Sequence, residues 1–287
     1  MTDAPRPRSR TGGRAAPRRG ATGQRAARRE PAAGTSWDPL ATWYDGWVGE
    51  QGSDYHRGIV IPAVMALLDP VDDEEILDIG AGQGVLAPHI VRAGARYTGV
   101  DASPRLVELA KRRHADAGRF LVGDARRLSD VGGLRAASFD GATFVLSIQD
   151  MDPLDAVLDS VSWALRPDAR VVIVMTHPAF RIPRQSGWGM DEARKLQFRR
   201  VDSYLSEMAV PMKELGGRAP AFRTRSFHRP ISAYVNGLAH RGFAVDGMLE
   251  IPDLAQAPAP GRGSRTTERA RNEIPLFLGL RARREGD

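Results

Sequence analysis

No cysteine occurs in the 287 residues. Disulfide scaffolds, thiolate zinc sites and cysteine nucleophiles are thereby excluded, and nothing points to an oxidising compartment. Long apolar runs are missing too. Stretches such as residues 171–175 fall far short of the roughly 20 residues a membrane helix needs. No apolar segment of about 7 to 15 residues follows the N-terminal arginines, as a secretory signal would require. A cytoplasmic protein with no membrane contact is the expectation. Metal-ligand patterns are also lacking: there is no H-E-x-x-H and no histidine pair at helix spacing, so no metal is expected. Residues 1–34 contain no leucine, isoleucine, valine or aromatic side chain. Such a segment cannot bury enough apolar surface to offset its ordering entropy, and disorder is its expected state.

What the chain does have is unevenly placed. Its net charge is +6, yet residues 1–34 carry nine arginines against Asp3 and Glu30, a net +7, which leaves −1 on the remainder. The basic character describes a tail. Two readings of that tail stand: an arm attracted to phosphate backbones or acidic surfaces, or a plain extension. Apolar residues at 42% and charged residues at 26% are ordinary globular usage, enough for one large domain.

Beyond the tail, an aromatic stretch with Trp37, Trp43, Tyr44, Trp47 and Tyr55 reads as helical to about residue 68. Strand and helix signals then alternate. Short apolar runs at 75–79, 97–100, 120–122, 139–148 and 170–176 are separated by helical stripes, one of them opened by Ser103-Pro104 as N-cap and first helical residue. This rhythm means βαβ units and a parallel sheet covered on both faces. It breaks at 181–228, where Leu196, Phe198, Val201, Tyr204, Leu205 and Met208 have helical spacing. A helix at 230–240, a strand at 243–251 and a last strand at 274–281 follow. The Pro-, Gly- and Arg-rich residues 252–272 read as a mobile loop. The predicted organisation is a tail (1–34), a helical cover (35–70), a nucleotide-binding core (71–180), an inserted lid (181–229) and a return to the core (230–287).

In an open parallel sheet, ligands sit outside the carboxyl ends of the strands at the topological switch point. Gly80, Gly82 and Gly84 directly follow the first strand, where a turn must tolerate positive φ and let a ligand approach the backbone. Asp101 closes the second strand, 17 residues after Gly84, where a carboxylate can accept the hydroxyl protons of a ribose. Asp124 closes the third. A dinucleotide site favours G-x-G-x-x-G, whereas this chain has G-x-G-x-G preceded by Asp78. A carboxylate there would repel a diphosphate and suit an ammonium or sulfonium group.

Several motifs resemble the class I S-adenosylmethionine-dependent methyltransferases. They are Ile76-Leu77-Asp78-Ile79-Gly80-Ala81-Gly82-Gln83-Gly84, Gly99-Val100-Asp101-Ala102-Ser103, Gly123-Asp124-Ala125 and the segment from Phe139-Asp140 to Gln149-Asp150. The C-terminal Ile274-Pro275-Leu276-Phe277-Leu278-Gly279-Leu280 is similar to the antiparallel last strand of that family. The resemblance covers about residues 71–180 and 230–281. It implies an α/β fold: an open, doubly wound, mostly parallel seven-stranded sheet with an antiparallel C-terminal strand, an N-terminal helical cover and an inserted lid. It implies S-adenosyl-L-methionine as cofactor, with Gly80, Ala81, Gly82 and Gly84 at its methionine end. Asp101, with Ala102 beside it, would hold the ribose, and Asp124 with Ala125 the adenine. Backbone near Leu146 and Ser147 would help hold the amino-acid end. Tyr44, in Ala41-Thr42-Trp43-Tyr44-Asp45, is similar to a tyrosine that closes over the cofactor in small-molecule members.

The chemistry follows from that resemblance. The partner expected is a small-molecule methyl acceptor, attacked through oxygen or nitrogen; a nucleic-acid acceptor reached by the tail, a non-catalytic nucleotide-binding domain and a dinucleotide oxidoreductase are the alternatives. Gln149-Asp150 stands where many small-molecule members carry a histidine pair. Candidate bases are His177 after the fifth strand, His228 before a helix start, and Asp150 at the end of the fourth strand. Each has a bland counterpart: His177 as a turn residue, His228 as a partner of the helix N-terminus, Asp150 as a cap of the turn at Asp152-Pro153.

Overall fold

Apolar strands set between amphipathic helices can bury both sheet faces only in a layered α/β arrangement, and the computed structural model has that form. It describes residues 37–211, 224–254 and 265–285, all within one unit, Gly34–Asp287. The tail at 1–34 lies outside the described residues. The first half runs α1 (Ala41–Val48), α2 (Ile61–Leu68), β1 (Glu75–Ile79), α3 (Ala87–Arg92), β2 (Arg96–Asp101), α4 (Pro104–Arg113), β3 (Arg119–Val122) and β4 (Phe139–Val145). There follow α5 (Leu154–Ala164), β5 (Leu165–Thr176), β6 (Ser186–Asp191), β7 (Leu196–Val201), β8 (Met208–Pro211) and β9 (Arg225–His228). The chain closes with α6 (Ile231–Ala239), β10 (Phe243–Ile251), α7 (Arg265–Glu273) and β11 (Phe277–Arg284).

The main sheet has seven strands in the order β10-β11-β5-β4-β1-β2-β3. β1, β2, β3, β4 and β5 pair in parallel, while β11 lies antiparallel to both β5 and β10. β5 is buried on both faces, which is why its sequence is a continuous apolar run rather than an alternation. Val171, Ile173 and Met175 point into the core formed with Val157, Leu158 and Val161 of α5 and Tyr234 and Leu238 of α6. Val172 and Val174 point the other way, toward Val64, Leu67 and Leu68 of α2, Ile90 of α3 and Val107 of α4. Each such buried side chain contributes about 1.5 to 3 kcal/mol. The chain leaves β1 toward β2 and β3, then returns on its other side with β4 and β5. The switch point therefore lies at the carboxyl ends of β1 and β4. Ser103 caps α4 as expected, its Oγ accepting the Leu106 amide at 3.3 Å.

Four expectations need correction. The helical spacing at 196–208 is coincidental: β6 and β7 form an antiparallel hairpin with Trp188 opposite Arg199 and Gly189 opposite Phe198. A Cβ at Gly189 would lie 2.5 Å from the Phe198 ring, so the glycine admits the aromatic face, and cross-strand packing overrides the apolar period. The proposed loop at 252–272 contains α7, whose Ala270 is buried; residues 255–264 lie outside the described residues. The helical cover is interrupted at 49–53, between α1 and the helical residues 54–60 that run into α2. The last strand starts at Phe277 rather than Ile274, because Pro275 has no amide to donate to the ladder.

Candidate functional site

The turn after β1 is fixed from below by β2. The Gly80 and Ala81 amides both donate to the Val100 carbonyl, at 2.8 and 3.1 Å, and the Gly84 amide donates to the Ala81 carbonyl at 2.9 Å. Gly80 and Gly82 have φ of 72° and 56°, the left-handed region where a side chain is strained. At Gly80 space forbids one as well: a Cβ would lie 2.6 Å from Ser147 Cβ. Ser147 in turn donates from Oγ to the Ile79 carbonyl at 2.7 Å, joining the ends of β1 and β4. Leu146, also left-handed at φ 53°, donates its amide to the Val174 carbonyl at 2.8 Å. Strain of this kind concentrates at functional sites.

Asp101 completes the turn. Its Oδ2 accepts the Gly82 amide and its Oδ1 the Ser103 amide, each at 2.8 Å. Each oxygen keeps lone-pair capacity for a further donor. Burial raises the Asp101 pKa, the two amides lower it, and the net shift is upward.

α1 lies over this turn. Tyr44 Cε1 and Oη would be 3.6 and 3.7 Å from a Cβ at Gly82. Two anchors pin the cover: Asp38 accepts from Ser103 Oγ at 2.7 Å, and Arg113 of α4 forks onto Asp45 at 2.5 and 2.9 Å. Gln83, inside the turn, donates from Nε2 to the Gly49 carbonyl. Burial drives the Tyr44 pKa upward, and the charges of Asp101, Asp150 and Asp78 add to the rise. Three carboxylates therefore act on that hydroxyl through their charge. Asp150 follows β4 in the short turn Ile148–Asp150; burial lifts its pKa to about 7, against hydrogen bonds from Ser226 and Trp37 that lower it. Gln83 Oε1, Gln149 Oε1 and Asp150 Oδ1 are buried acceptors without a partner among the described residues.

A pyrophosphate would meet repulsion from these carboxylates, whereas a nucleoside carrying an ammonium and a sulfonium brings ammonium and ribose-hydroxyl donors and the opposite charge. The comparisons agree. A family model described as a methyltransferase domain matches residues 77–173, the span from β1 into β5. The demethylmenaquinone methyltransferase of Tropheryma whipplei is 30% identical over 117 residues, 40% of this chain and 48% of that protein. A ubiquinone biosynthesis O-methyltransferase of Methylocella silvestris is 39% identical over 90 residues, 31% of this chain and 32% of its own. The chain spans about half the length, or less, of these curated relatives. An S-adenosylmethionine-dependent methyltransferase from Mesorhizobium loti superposes with a TM-score of 0.61 at 25% identity, over 82% of this chain and 100% of the other. A Pyrococcus horikoshii protein shares the fold with a TM-score of 0.55 at 18% identity, over 86% and 98%. Residues 77–173 thus match a methyltransferase domain, and the fold is that of S-adenosylmethionine-dependent methyltransferases.

The remaining candidates fall into distinct places. Asp78 is buried under the turn, its two oxygens accepting from Tyr97 Oη at 2.7 Å and Thr143 Oγ1 at 2.8 Å. It links β1 to β2 and β4, and burial lifts its pKa to about 6. Ala102 is exposed between β2 and α4, and Ala125 is buried after β3. Beside Ala125, burial raises the Asp124 pKa, but the Arg126 side chain and amide hold it below the usual carboxylate range.

The three catalytic candidates separate clearly. His177 is buried, with Nε2 3.1 Å from Glu250 Oε1 and Nδ1 accepting the Ala179 amide at 3.2 Å. His228 donates from Nε2 to the Tyr204 carbonyl at 2.7 Å, tying β9 to the turn before β8. Asp150 alone of the three keeps a buried, unpartnered oxygen. Sequence reasoning missed Gln83, Gln149 and Trp37. Gln83 sits inside the quoted turn and Gln149 beside Asp150, so position was the available signal; nothing in the sequence pairs Trp37 with Asp150. Among the described residues, no cluster of three His, Asp or Glu side chains is placed to hold a metal ion, and no helix is long and apolar enough to cross a membrane.

Proposed function

We propose that the chain transfers a methyl group to a small-molecule acceptor, through oxygen or nitrogen, inside a site roofed by α1. The observation that carries this reading is the enclosure of the glycine turn: Tyr44 covers Gly82, and Asp38 and Asp45 hold the cover in place. A roofed site suits a molecule that can be surrounded, and excluding water favours displacement at a sulfonium. S-adenosylmethionine supplies an electrophilic methyl group there. Gly80, Ala81, Gly82 and Gly84 present backbone to its methionine end, with Leu146 and Ser147 opposite. Asp101 accepts the ribose hydroxyls, and Asp124 with Ala125 borders the adenine. Asp150 holds the acceptor's hydroxyl and takes its proton at Oδ1; a carboxylate with a pKa near 7 suits that task at neutral pH. A hydroxylated ring would also accord with the ubiquinone biosynthesis O-methyltransferase among the relatives.

The test is incubation with methyl-labelled S-adenosylmethionine and a cell extract, followed by size fractionation. Label should enter the low-molecular-weight fraction. Label confined to RNA, DNA or protein would overturn the small-molecule reading.

A further inference from the structure

Past the end of β5, a second group of unmet polar atoms faces the inserted hairpin. Arg181 lies four residues after His177 and donates its amide to the His177 carbonyl at 2.8 Å. Its Nε and Nη2 are buried and have no partner among the described residues. A buried guanidinium donor left unpaired is costly, more so than a neutral one. Its carbon sits 5.3 Å from the centre of the Trp188 ring on β6. Arg199, opposite Trp188 on β7, sits at the same distance from that ring. Two like charges thus share one aromatic side chain. The Arg199 guanidinium is anchored to the Phe180 carbonyl at 2.7 Å and Ser186 Oγ at 3.0 Å, so it cannot swing away. Burial lowers the pKa of both arginines, and the Arg181 charge lowers that of Arg199 further.

Asp253 is the acidic group that reaches Arg181. Its Oδ2 lies 3.5 Å from Arg271, it accepts from the Tyr55 hydroxyl, and its Oδ1 is buried without a partner. The cluster therefore holds three guanidinium groups against one buried carboxylate, with Glu250 59% exposed on its far side beside His177. What is missing is one negative charge with two acceptor atoms.

We propose that Arg181, Arg199 and Trp188 form an acceptor subsite for a carboxylate borne on a flat, aromatic small molecule. The carboxylate accepts from Arg181 Nε and Nη2, the paired geometry for which a guanidinium fork is built. The ring lies against Trp188, and Asp253 Oδ1 accepts from a hydroxyl on the same molecule. Because these donors are buried and Trp188 of β6 lies against the guanidinium, the acceptor enters as the hairpin lifts and is enclosed when it closes. This inference rests on the small-molecule methyltransferase reading and names its substrate class.

The test uses benzoate and its neutral counterpart benzamide, titrated into the full chain in the presence of S-adenosylhomocysteine. Benzoate should bind at least tenfold more tightly than benzamide, since each hydrogen bond to a charged partner is worth roughly 10- to 150-fold. Arg181→Met should erase that preference while leaving S-adenosylhomocysteine affinity unchanged, which also shows that the variant is folded. Arg199→Gln should reduce the preference in part. Equal binding of the two probes, binding of neither by protein that binds S-adenosylhomocysteine, or a preference that survives Arg181→Met would each overturn the subsite alone. Protein that binds no S-adenosylhomocysteine would overturn the subsite and the methyltransferase reading together.

Discussion

Asp101 holds two backbone amides before any ligand is considered, and this alters what its removal should do. In Asp101→Ala the Gly82 and Ser103 amides lose their acceptor, so stability should fall by about 1 to 3 kcal/mol. If the carboxylate also takes ribose hydroxyls, calorimetry should show S-adenosylhomocysteine affinity falling by roughly 10- to 150-fold per bond. Lowered stability with unchanged affinity would make Asp101 a turn-holding residue only. Asp150 gives the second residue-scale expectation, and its sign is fixed by burial. Its pKa is lifted to about 7, above the roughly 3.9 of an unfolded chain. The folded state then retains a proton that the unfolded state has lost between those values. Its contribution to stability is full below pH about 4 and lost as pH rises through about 7. Activity runs the opposite way, because a proton acceptor works only when ionised. The turnover rate should drop about tenfold per pH unit below 7, and Asp150→Asn should remove both that limb and the decline in stability. With Asp150 as the base, the substitution lowers turnover by roughly 10² to 10⁴. A variant of unchanged rate and pH profile would leave Asp150 no part in proton transfer.

Elements whose register follows from local sequence were legible, and those fixed by distant partners were not. β1 to β5 announce themselves through apolar runs that parallel pairing buries on both faces, and α4 through Ser103 and Pro104. The β6–β7 hairpin was misread because Leu196, Phe198 and Val201 happen to repeat at helical spacing. What decides that segment is Gly189 making room for Phe198, a cross-strand relation no local period encodes. Arg170 is a sharper case. At 6% exposure it donates to the Leu68 and Asp69 carbonyls at the end of α2, and its fork meets Glu74 at 2.8 and 2.6 Å. Burial raises the Glu74 pKa, but Arg170 and the Val71 amide hold it below the usual carboxylate range. This one side chain joins β5 to the end of α2 and the approach to β1, across 96 residues of sequence. Arg170→Met leaves a largely buried carboxylate and helix-end carbonyls unpaired, so urea denaturation should register a loss of about 3 to 5 kcal/mol. A loss under about 1 kcal/mol would mean that solvent already satisfies Glu74.

At the scale of the whole molecule, the candidate site was legible because strand ends carry it: Gly80, Gly82, Asp101 and Asp124 each stop a strand or begin the turn after one. The acceptor side was not, since Arg181, Trp188, Arg199 and Asp253 come from a loop, a hairpin and the segment before α7, with no common spacing. The charge distribution is legible at this scale alone. Residues 1–34 carry +7 while the rest carries −1, so any long-range attraction for a polyanion belongs to the tail. The tail also offers no apolar side chain larger than alanine, methionine or proline, and removing it deletes almost no burial. A chain starting at residue 35 should therefore keep its melting temperature to within a degree or two and bind S-adenosylhomocysteine as before. Its affinity for duplex DNA or RNA should fall to background. In the full chain that affinity should weaken with salt, at a log–log slope of roughly 0.9 per phosphate contacted on duplex DNA. These readouts separate two molecules that share one sequence. If the tail only adds charge, turnover on small-molecule extract is the same with and without it. If turnover instead requires the tail, and label moves to nucleic acid when it is present, the acceptor is a polyanion and the roofed site serves a single extruded base.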